Sequence, residues 1–374
     1  MDSNSQDSLF EISRRYGLRP EEIVDFSAPM NPLGFSQKIE KKLKANLPAI
    51  RRYPDPQCLD LVKALARFHG LAEDQILPGA GATEFIYALP RVFSLKRVLM
   101  VTPTLGEYER ALESAKPKGE CQIHYFETRE EDGFEVDVNA LISSLTLGYD
   151  ALFLSNPGDL TGILTAKEDL LRILEQTERQ NIWFVLDETA IDFIEEHSLK
   201  DLAEGCARLI LIRSFSKFFG LPGLRAGYVI ANPAQIQRFL GSKEPWTVNT
   251  LGQIAAMEAL EDKAFIRHTQ EWLPKERERM IQGLRSIPGF VPYPGSAHSL
   301  LVQILPFLGF TAGELRERLF AWRILIRDCQ PFHHLGPYFL QITVRTHRQN
   351  GLLLKALRQI VQTLPDSGNS SRPG

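Results

Sequence analysis

One lysine, Lys217, stands where it could act as a nucleophile. It lies in SFSKFFGLPGLRAGY, Ser214 to Tyr228, where apolar and hydroxyl side chains surround it and Arg225, a candidate anion partner, follows eight positions later. The apolar run LILIR just before it predicts that the lysine sits at the end of a buried strand. Burial lowers the pKa of an amine and makes it nucleophilic, as Schiff-base chemistry requires.

Two other stretches place polar or flexible residues where a strand ends. In FVLDETAIDF an apolar run ends at Asp187 and Glu188, where a carboxylate either caps a helix or belongs to a ligand site at the strand end. In LPGAGATEFIYAL a glycine-rich turn, residues 79–83, precedes a helix whose backbone N–H groups can receive a phosphate, unless the turn has no ligand. The serines Ser214 and Ser216 are further candidate anion partners.

The elements that position these residues follow from the hydrophobic pattern. RVLMVTP, GYDALFLSNP, NIWFVLDE, RLILIRSFS and AGYVIANP each predict a strand, and segments such as AKEDLLRILEQTERQ predict helices between them. This alternation indicates an α/β fold with a mostly parallel central sheet and helices on both faces. Ligands bind at the carboxyl ends of such strands, so the lysine, the carboxylates and the loop LSNPGDLTG are predicted to meet at one edge.

The same patterns predict two domains. Residues 1–45 form an N-terminal segment that packs with the small domain, and residues 46–265 form the large domain. Residues 266–364 form a smaller α+β C-terminal domain. The final stretch, PDSGNSSRPG at residues 365–374, predicts a disordered tail.

Composition excludes several classes of function. The chain has 374 residues and a formal net charge of −3 with mixed signs, so it carries no basic field for nucleic acid or an anionic membrane. The N-terminus is polar and acidic, and no apolar run is long enough to span a bilayer. These features predict a soluble cytoplasmic protein without a metal site. The four cysteines lie far apart without a metal or disulfide pattern: Cys58, Cys121, Cys206 and Cys329.

Together these stretches resemble the fold-type I pyridoxal-phosphate enzymes, the class I and II aminotransferase superfamily. The spacings, thirty residues from Asp187 to Lys217 and eight more to Arg225, match that family. The resemblance implies that the cofactor is pyridoxal 5′-phosphate, that Lys217 carries it and that Asp187 keeps its pyridine nitrogen protonated. The residues that it implies around the cofactor phosphate are Ala82, Thr83, Ser214, Ser216 and Arg225.

Within the superfamily the chain resembles the cobalamin-pathway threonine-phosphate decarboxylase group, itself similar to histidinol-phosphate aminotransferase. EEIVDFSAPMNPLG is similar to the group's DFSANINPLG, and RRYPDPQ to its RYPDP. The resemblance implies that Asn31 and Arg327 bind substrate, Arg327 near its phosphate, and that Tyr108 stacks on the cofactor ring. It also implies that Tyr53 reaches across a dimer interface, which predicts a homodimer with shared active sites.

Three positions depart from the family pattern. The family loop NPNNPTG, whose second asparagine donates to the cofactor's ring oxygen, is NPGDLTG here, with Asp159 at that place. The family's DEAY or DEAF is DETA, so Ala190 replaces an aromatic residue. Gln341 replaces an arginine that clamps the substrate carboxylate, which removes a charge-assisted contact. Arg345, two pleats along the strand, is a candidate substitute.

Three histidines remain to be interpreted. His298 in GSAHSLL fits a hydrogen-bonded structural histidine. His333 and His334 in PFHHLGP fall in a loop that either touches substrate or is solvated.

Three functions fit these residues. The first is decarboxylation of a phosphorylated amino acid, with Lys217 as the Schiff-base lysine. The second is aminotransfer of the histidinol-phosphate type on an anionic amine. The third is a cofactor-binding protein with altered or lost catalysis, which the changes at Asp159, Ala190 and Gln341 keep open. The sequence does not name the substrate.

Overall fold

The computed structural model describes residues 9–115 and 121–364, so the tail predicted at 365–374 lies outside the described residues. The strands are β1 (Val24–Asp25), β2 (Ile76–Gly79), β3 (Arg97–Thr102), β4 (Gln122–Glu127), β5 (Ala151–Ser155), β6 (Trp183–Asp187), β7 (Leu209–Ser214), β8 (Gly227–Ala231), β9 (Phe290–Pro292), β10 (Ser299–Ile304), β11 (Ile324–Leu325), β12 (Arg327–Asp328) and β13 (Phe339–Thr343). The helices are α1 (Leu9–Tyr16), α2 (Gln37–Asn46), α3 (Leu59–His69), α4 (Ala82–Val92), α5 (Glu107–Ser114), α6 (Val138–Leu145), α7 (Lys167–Gln180), α8 (Pro233–Leu240), α9 (Thr250–Glu261), α10 (Lys263–Arg285), α11 (Ala312–Leu319) and α12 (His347–Gln362).

Seven strands form the central sheet, in the order β2-β8-β7-β6-β5-β3-β4. The pairs from β7 to β4 are all parallel, and β8 runs antiparallel to both β7 and β2. The five strands read as apolar runs in the sequence are all strands of this sheet, which confirms the predicted mostly parallel architecture. Two strands of this sheet, β2 and β4, were not predicted.

Helices cover both faces of this sheet because its strands are apolar on both sides. In β7, Leu209 and Leu211 join one buried cluster with residues of α3, α6, α7 and α9. The alternate residues Ile210 and Ile212 join another with residues of α4, α5 and α8. A parallel strand buried on both faces reads as a continuous apolar run rather than an alternating one.

A second sheet lies in the C-terminal part of the chain. It is antiparallel, in the order β12-β13-β10-β9, and α10 packs against β9 and α12. The N-terminal segment contacts both parts: β1 pairs with β11, whereas α2 packs against α9. The α+β character of this region is confirmed, and the predicted domain boundaries stay predictions.

In the ranges given above, no helix combines the length and the apolar character that crossing a bilayer requires.

Candidate active site

The candidate site lies at the carboxyl ends of three adjacent parallel strands. The loop after β5 carries Asp159, β6 ends at Asp187, and Lys217 lies three residues after β7. Because β5 pairs with β6 and β6 with β7 in parallel, these three ends reach the same edge of the sheet. The predicted meeting at one edge is confirmed for the lysine, Asp187 and the loop after β5. It is wrong for Glu188, whose carboxylate pairs with the buried Arg213 at 2.8 Å instead.

Lys217 is held by two side chains. Its Nζ donates to Oδ1 of Asp159 at 2.5 Å and to Oγ1 of Thr189 at 2.8 Å. The sequence suggested an amine in apolar and hydroxyl surroundings, but the structure pairs it with a carboxylate. The prediction missed this because Asp159 is 58 residues away in the chain, so no local pattern connects the two.

Asp187 is buried at the floor of the site. Its Oδ1 accepts the backbone N–H of Thr189 at 2.7 Å, and its Oδ2 accepts the hydroxyl of Tyr108. Burial raises the pKa of the Asp187 carboxyl, Asp159 raises this pKa further, and Lys217 lowers it. Burial, with the negative charges of Asp187 and Asp159, also raises the pKa of Tyr108 well above its usual range. The structure thus places Tyr108 on Asp187, and its predicted stacking on a cofactor ring stays a prediction.

Thr189 is a functional candidate that the sequence analysis missed. Its backbone binds Asp187 and its hydroxyl binds Lys217, so one residue connects the carboxylate to the amine. The sequence did contain a signal for this residue. In DETA, Thr189 places a hydroxyl group two residues after Asp187, directly before Ala190. Ala190 itself is buried and has only its methyl group to offer.

Thr83 and Arg225, two of the residues predicted to bind a phosphate, lie together at the start of α4. Arg225 has a left-handed backbone, with φ of 52°, and its Nη2 lies 3.4 Å from Oγ1 of Thr83. A Cβ on Gly81 would lie 2.7 Å from that Nη2, and a Cβ on Gly227 would lie 2.6 Å from the backbone nitrogen of Ala82. Glycine is therefore required where the arginine and β8 approach the helix end.

The serines predicted to bind the phosphate lie at the end of β7. Oγ of Ser214 accepts the backbone N–H of Ser216 at 3.1 Å, which fixes the turn that leads to Lys217. The first turn of α4 presents unbonded N–H groups, as every helix N-terminus does. The arrangement can receive an anion, as predicted for Ala82 and Thr83.

Gln341 has a different task from the arginine that it replaces. Its amide donates to the backbone carbonyls of Asp159 at 2.6 Å and Leu160 at 3.0 Å, and its Oε1 is buried without a partner. Its neighbour across the strand pair is Arg327 on β12, whose Nε is also buried without a partner. Burial lowers the pKa of Arg327. A cation therefore remains beside this position, one strand away.

Arg345 lies outside the strand on which it was predicted. Strand β13 ends at Thr343, and the backbone of Arg345 bonds the side chain of Asn350 in the turn before α12. Its Nε is buried and has no partner, and burial lowers its pKa. The strand alternation used to place it near Gln341 does not apply there.

The side chain of Asn31 is occupied by the protein. Its amide donates to the carbonyl of Phe218 at 2.7 Å and to Thr269 at 3.2 Å, and its oxygen accepts the N–H of Leu33. Its backbone N–H also donates to the carbonyl of Lys217 at 2.8 Å. Asn31 thus attaches the N-terminal segment to the lysine loop, and its predicted contact with substrate stays a prediction.

Tyr53 is 84% exposed on the surface. Its ring lies 5.4 Å from that of Trp246, which is also exposed. The predicted role of Tyr53 concerns a second subunit, and its exposure leaves the ring available for one.

The three histidines have structural partners. His298 is buried, its Nε2 lies 2.8 Å from the carbonyl of Pro29, and burial, aided by the charge of Lys217, lowers its pKa to about 3. Its interpretation as a structural histidine is confirmed. His333 lies 2.9 Å from the carboxylate of Glu109, and His334 lies 3.2 Å from that of Glu127. Both histidines therefore join the C-terminal loop to the central domain.

Comparison with known proteins agrees with this geometry. The sequence profile described as "Aminotransferase class I and II" matches residues 22–357. The chain belongs to the class I and II aminotransferase family. This confirms the resemblance drawn from the lysine, aspartate and arginine spacing, and with it the fold-type I architecture.

Individual members of the family are similar over nearly the whole chain. Threonine-phosphate decarboxylase of Salmonella typhimurium is 35% identical over 356 residues, 95% of each chain. Histidinol-phosphate aminotransferase of Methanococcus maripaludis is 30% identical, covering 94% of each chain. The solved L-threonine-O-3-phosphate decarboxylase of Porphyromonas gingivalis superposes with a TM-score of 0.80 at 29% identity, covering 91% of this chain and all of the other.

Proposed function

We propose that this protein is a pyridoxal-phosphate-dependent decarboxylase of a phosphorylated amino acid, similar to threonine-phosphate decarboxylase in cobalamin side-chain synthesis. The observation that carries the proposal is the convergence of Lys217, the buried Asp187 and the anion cup of α4 and Arg225 at one sheet edge. The similarity to two threonine-phosphate decarboxylases over at least nine-tenths of this chain supports the substrate class.

The residues present fit the cofactor. The buried carboxylate of Asp187 suits a protonated pyridine nitrogen, and Arg225 with the start of α4 suits a phosphate. Oδ2 of Asp159 is buried beside Lys217 without a donor, which a hydroxyl on a bound ring would supply. When bound, pyridoxal phosphate supplies an electron sink for the carbanion left by a departing carbon dioxide.

The chain's own residues supply the remaining functions. Lys217 provides the amine that attaches the cofactor and afterwards carries a proton to the substrate carbon. Asp187 keeps the ring nitrogen protonated, because its negative charge stabilises the cation. Arg327 binds the phosphate of the substrate, since it is a cation beside Gln341 whose buried Nε has no partner.

Aminotransfer on an anionic amine without a carboxylate is the second candidate. It is favoured by Gln341, whose amide is committed to backbone carbonyls and leaves no cation at the place of the carboxylate clamp. The 30% identity to histidinol-phosphate aminotransferase agrees with it. We further propose a cytoplasmic homodimer in which Tyr53 completes the site of the partner.

The test is an absorbance measurement of the purified protein with pyridoxal phosphate, followed by addition of L-threonine phosphate and detection of carbon dioxide. We expect a cofactor band that Lys217→Ala abolishes, and release of carbon dioxide. The matched control is Lys200→Ala, since Lys200 is a half-buried lysine that pairs with Glu195 at 2.8 Å elsewhere. Pyridoxamine phosphate without carbon dioxide would favour aminotransfer, and a cofactor band with neither product would favour the cofactor-binding protein with altered or lost catalysis. The absence of any band would contradict the proposed cofactor.

A further inference from the structure

Two of the departures from the family pattern touch each other. Gln341 lies on β13 of the second sheet, and Asp159 lies in the loop after β5 of the central sheet, 182 residues earlier. The amide of Gln341 donates to the carbonyls of Asp159 and Leu160. The side chain is buried, so no water competes for these two bonds. Gln341 thus fixes the backbone at the residue that binds the lysine.

The two oxygens of the Asp159 carboxylate differ in their hydrogen bonding. Oδ1 accepts from Lys217 Nζ at 2.5 Å, whereas Oδ2 is buried and has no partner. The side chain is only 2% exposed. A buried acceptor without a donor is costly, and it therefore points to a donor on a bound molecule.

We infer that Asp159 and Gln341 form a positioning pair. Gln341 holds the loop after β5, so that one oxygen of Asp159 binds the Lys217 amine. The other oxygen of Asp159 is a hydrogen-bond acceptor at the place where the family's asparagine has a donor. The inference rests on the proposed cofactor, and it concerns residues that the family pattern does not share. An asparagine at 159 can donate to an ionised ring oxygen. An ionised carboxylate cannot donate a hydrogen bond, so it can bind the ring oxygen only when that oxygen carries a proton.

A negative charge beside the lysine has a measurable consequence. The linkage between lysine and cofactor carries a proton at low pH and loses it at high pH, with a change of absorbance. Asp159 stabilises the protonated form and raises the pH at the midpoint of that change. Asp159→Asn removes the charge and restores a donor, so the midpoint is expected to fall by roughly one to three pH units.

The experiment is a pH titration of the cofactor-loaded protein without substrate. It compares the wild type with Asp159→Asn, Gln341→Met and the double variant. Because Gln341 acts through Asp159, Gln341→Met is expected to lower the midpoint in the wild type and to leave it unchanged in the Asp159→Asn background. The control is Asp262→Asn, which removes a buried carboxylate from another lysine pair, Lys38 at 2.9 Å, and should leave the midpoint in place.

A second measurement uses the full chain without cofactor. Acetic anhydride labels free amines, and the fraction of Lys217 acetylated can be read by peptide mass spectrometry. An amine released from its carboxylate reacts faster, so Asp159→Asn should increase Lys217 labelling relative to Lys200. Asp262→Asn should increase the labelling of Lys38, its own partner, and leave Lys217 unchanged relative to Lys200.

The outcomes separate this inference from the proposed function. An unchanged midpoint and unchanged labelling in Asp159→Asn would overturn the binding of the Lys217 amine by Asp159, whatever the reaction is. If Gln341→Met shifted the midpoint by the same amount in the wild type and in the Asp159→Asn background, the coupling between Gln341 and Asp159 would be overturned. A protein that binds no pyridoxal phosphate would overturn the proposed function, while the labelling result would still decide whether Asp159 holds the lysine. The test of the contact between Asp159 and Lys217 uses only Asp159→Asn, an isosteric substitution. Its result therefore does not depend on whether Gln341→Met folds.

Discussion

Lys217 is positioned by a carboxylate on one side and a hydroxyl on the other. Asp159 supplies charge, and Thr189 supplies a short hydrogen bond together with a link to Asp187 through its backbone. A long amine has many rotamers, and two fixed partners reduce them to the one that faces the site. The reactive residue is thus oriented by neighbours from two different strand ends.

At this scale the hydroxyl of Thr189 can be tested alone. Thr189→Val keeps the shape and the backbone bond to Asp187 but removes the 2.8 Å contact with Lys217. A hydrogen bond to a charged group contributes about 1.5–3 kcal/mol, so we expect kcat to fall by roughly ten- to a hundredfold with a smaller change in KM. Steady-state kinetics on L-threonine phosphate, the proposed substrate, measure this.

The control for that substitution is Thr177→Val. Thr177 is buried, and its hydroxyl bonds only the carbonyl of Leu174 within α7. Equal losses of kcat in both variants would mean that Thr189 acts through general stability and not through the lysine.

At the scale of elements, β8 and the start of α4 approach so closely that only glycine fits between them. A Cβ at Gly227 would meet backbone atoms of Ala82, Gly81 and Arg213 at 2.6 to 2.9 Å. Backbone cannot move aside as a flexible side chain can. The predicted anion site at the start of α4 therefore depends on glycine at position 227.

Gly227→Ala should consequently displace the first turn of α4 from Arg225. We expect weaker binding of pyridoxal phosphate, by about tenfold or more, and a loss of about 1–3 kcal/mol in the free energy of unfolding. Gly223→Ala is the matched control, because a Cβ at Gly223, two residues before Arg225, meets no atom within 4 Å. Fluorescence titration with the cofactor and urea unfolding measure the two effects, and similar results for both variants would contradict the close-approach argument.

A buried charge cluster lies next to β7. Arg213 is fully buried, with Glu188 at 2.8 Å, Glu195 at 2.8 Å and Asp192 at 3.5 Å. Burial raises the pKa of Asp192 to about 7, although Arg213 opposes this shift. Burial lowers the pKa of the neighbouring His69 to about 4. These two groups give the stability of the fold opposite dependences on pH.

The sign for Asp192 follows from proton binding. Between the unfolded value of about 3.9 and the folded value of about 7, the folded state holds a proton that the unfolded state has lost. Asp192 therefore contributes stability that is present below pH 4 and is lost as the pH rises to about 7. For His69 the contribution is present above about pH 6.5 and is lost as the pH falls to about 4.

Asp192→Asn should remove the first dependence and keep the second. The difference in the free energy of unfolding between variant and wild type is expected to shift in favour of the variant by roughly 2–4 kcal/mol between pH 4 and pH 7. Urea unfolding at a series of pH values measures the difference, in which the His69 contribution cancels. A difference that is constant with pH would show that Asp192 does not change its protonation on unfolding.

At the scale of the whole molecule, the sequence predicted what local pattern encodes. Apolar runs identified the strand that ends at Asp187 and the strand that leads to Lys217, and their order in the chain predicted the shared sheet edge. The reversed direction of β8 could not be predicted, because an apolar run such as AGYVIANP is the same in either direction. The contact of Lys217 with Asp159 joins residues 58 positions apart at one edge of the central sheet. The contact of Gln341 with the same loop joins residues 182 positions apart and depends on the packing of the second sheet against the first.

The exposed surface around Tyr53 is the feature that a single chain leaves unexplained. Tyr53, Trp246 and Ile50 are large apolar side chains with exposed fractions of 84%, 49% and 64%. A cluster of exposed aromatic and aliphatic side chains marks a surface that a partner covers. In the proposed homodimer that partner is a second copy, whose active site receives Tyr53.

A shared site can be detected by mixing two inactive variants. Lys217→Ala lacks the amine, and Tyr53→Ala lacks the residue donated to the partner. If the sites are shared, a mixed dimer has one site with both residues intact and one site with neither. Random exchange makes half of the dimers mixed, so unfolding and refolding the two variants together should recover about a quarter of the wild-type activity. Each variant refolded alone is the control, and a mixture that is no more active than these would place Tyr53 in the site of its own subunit or in none.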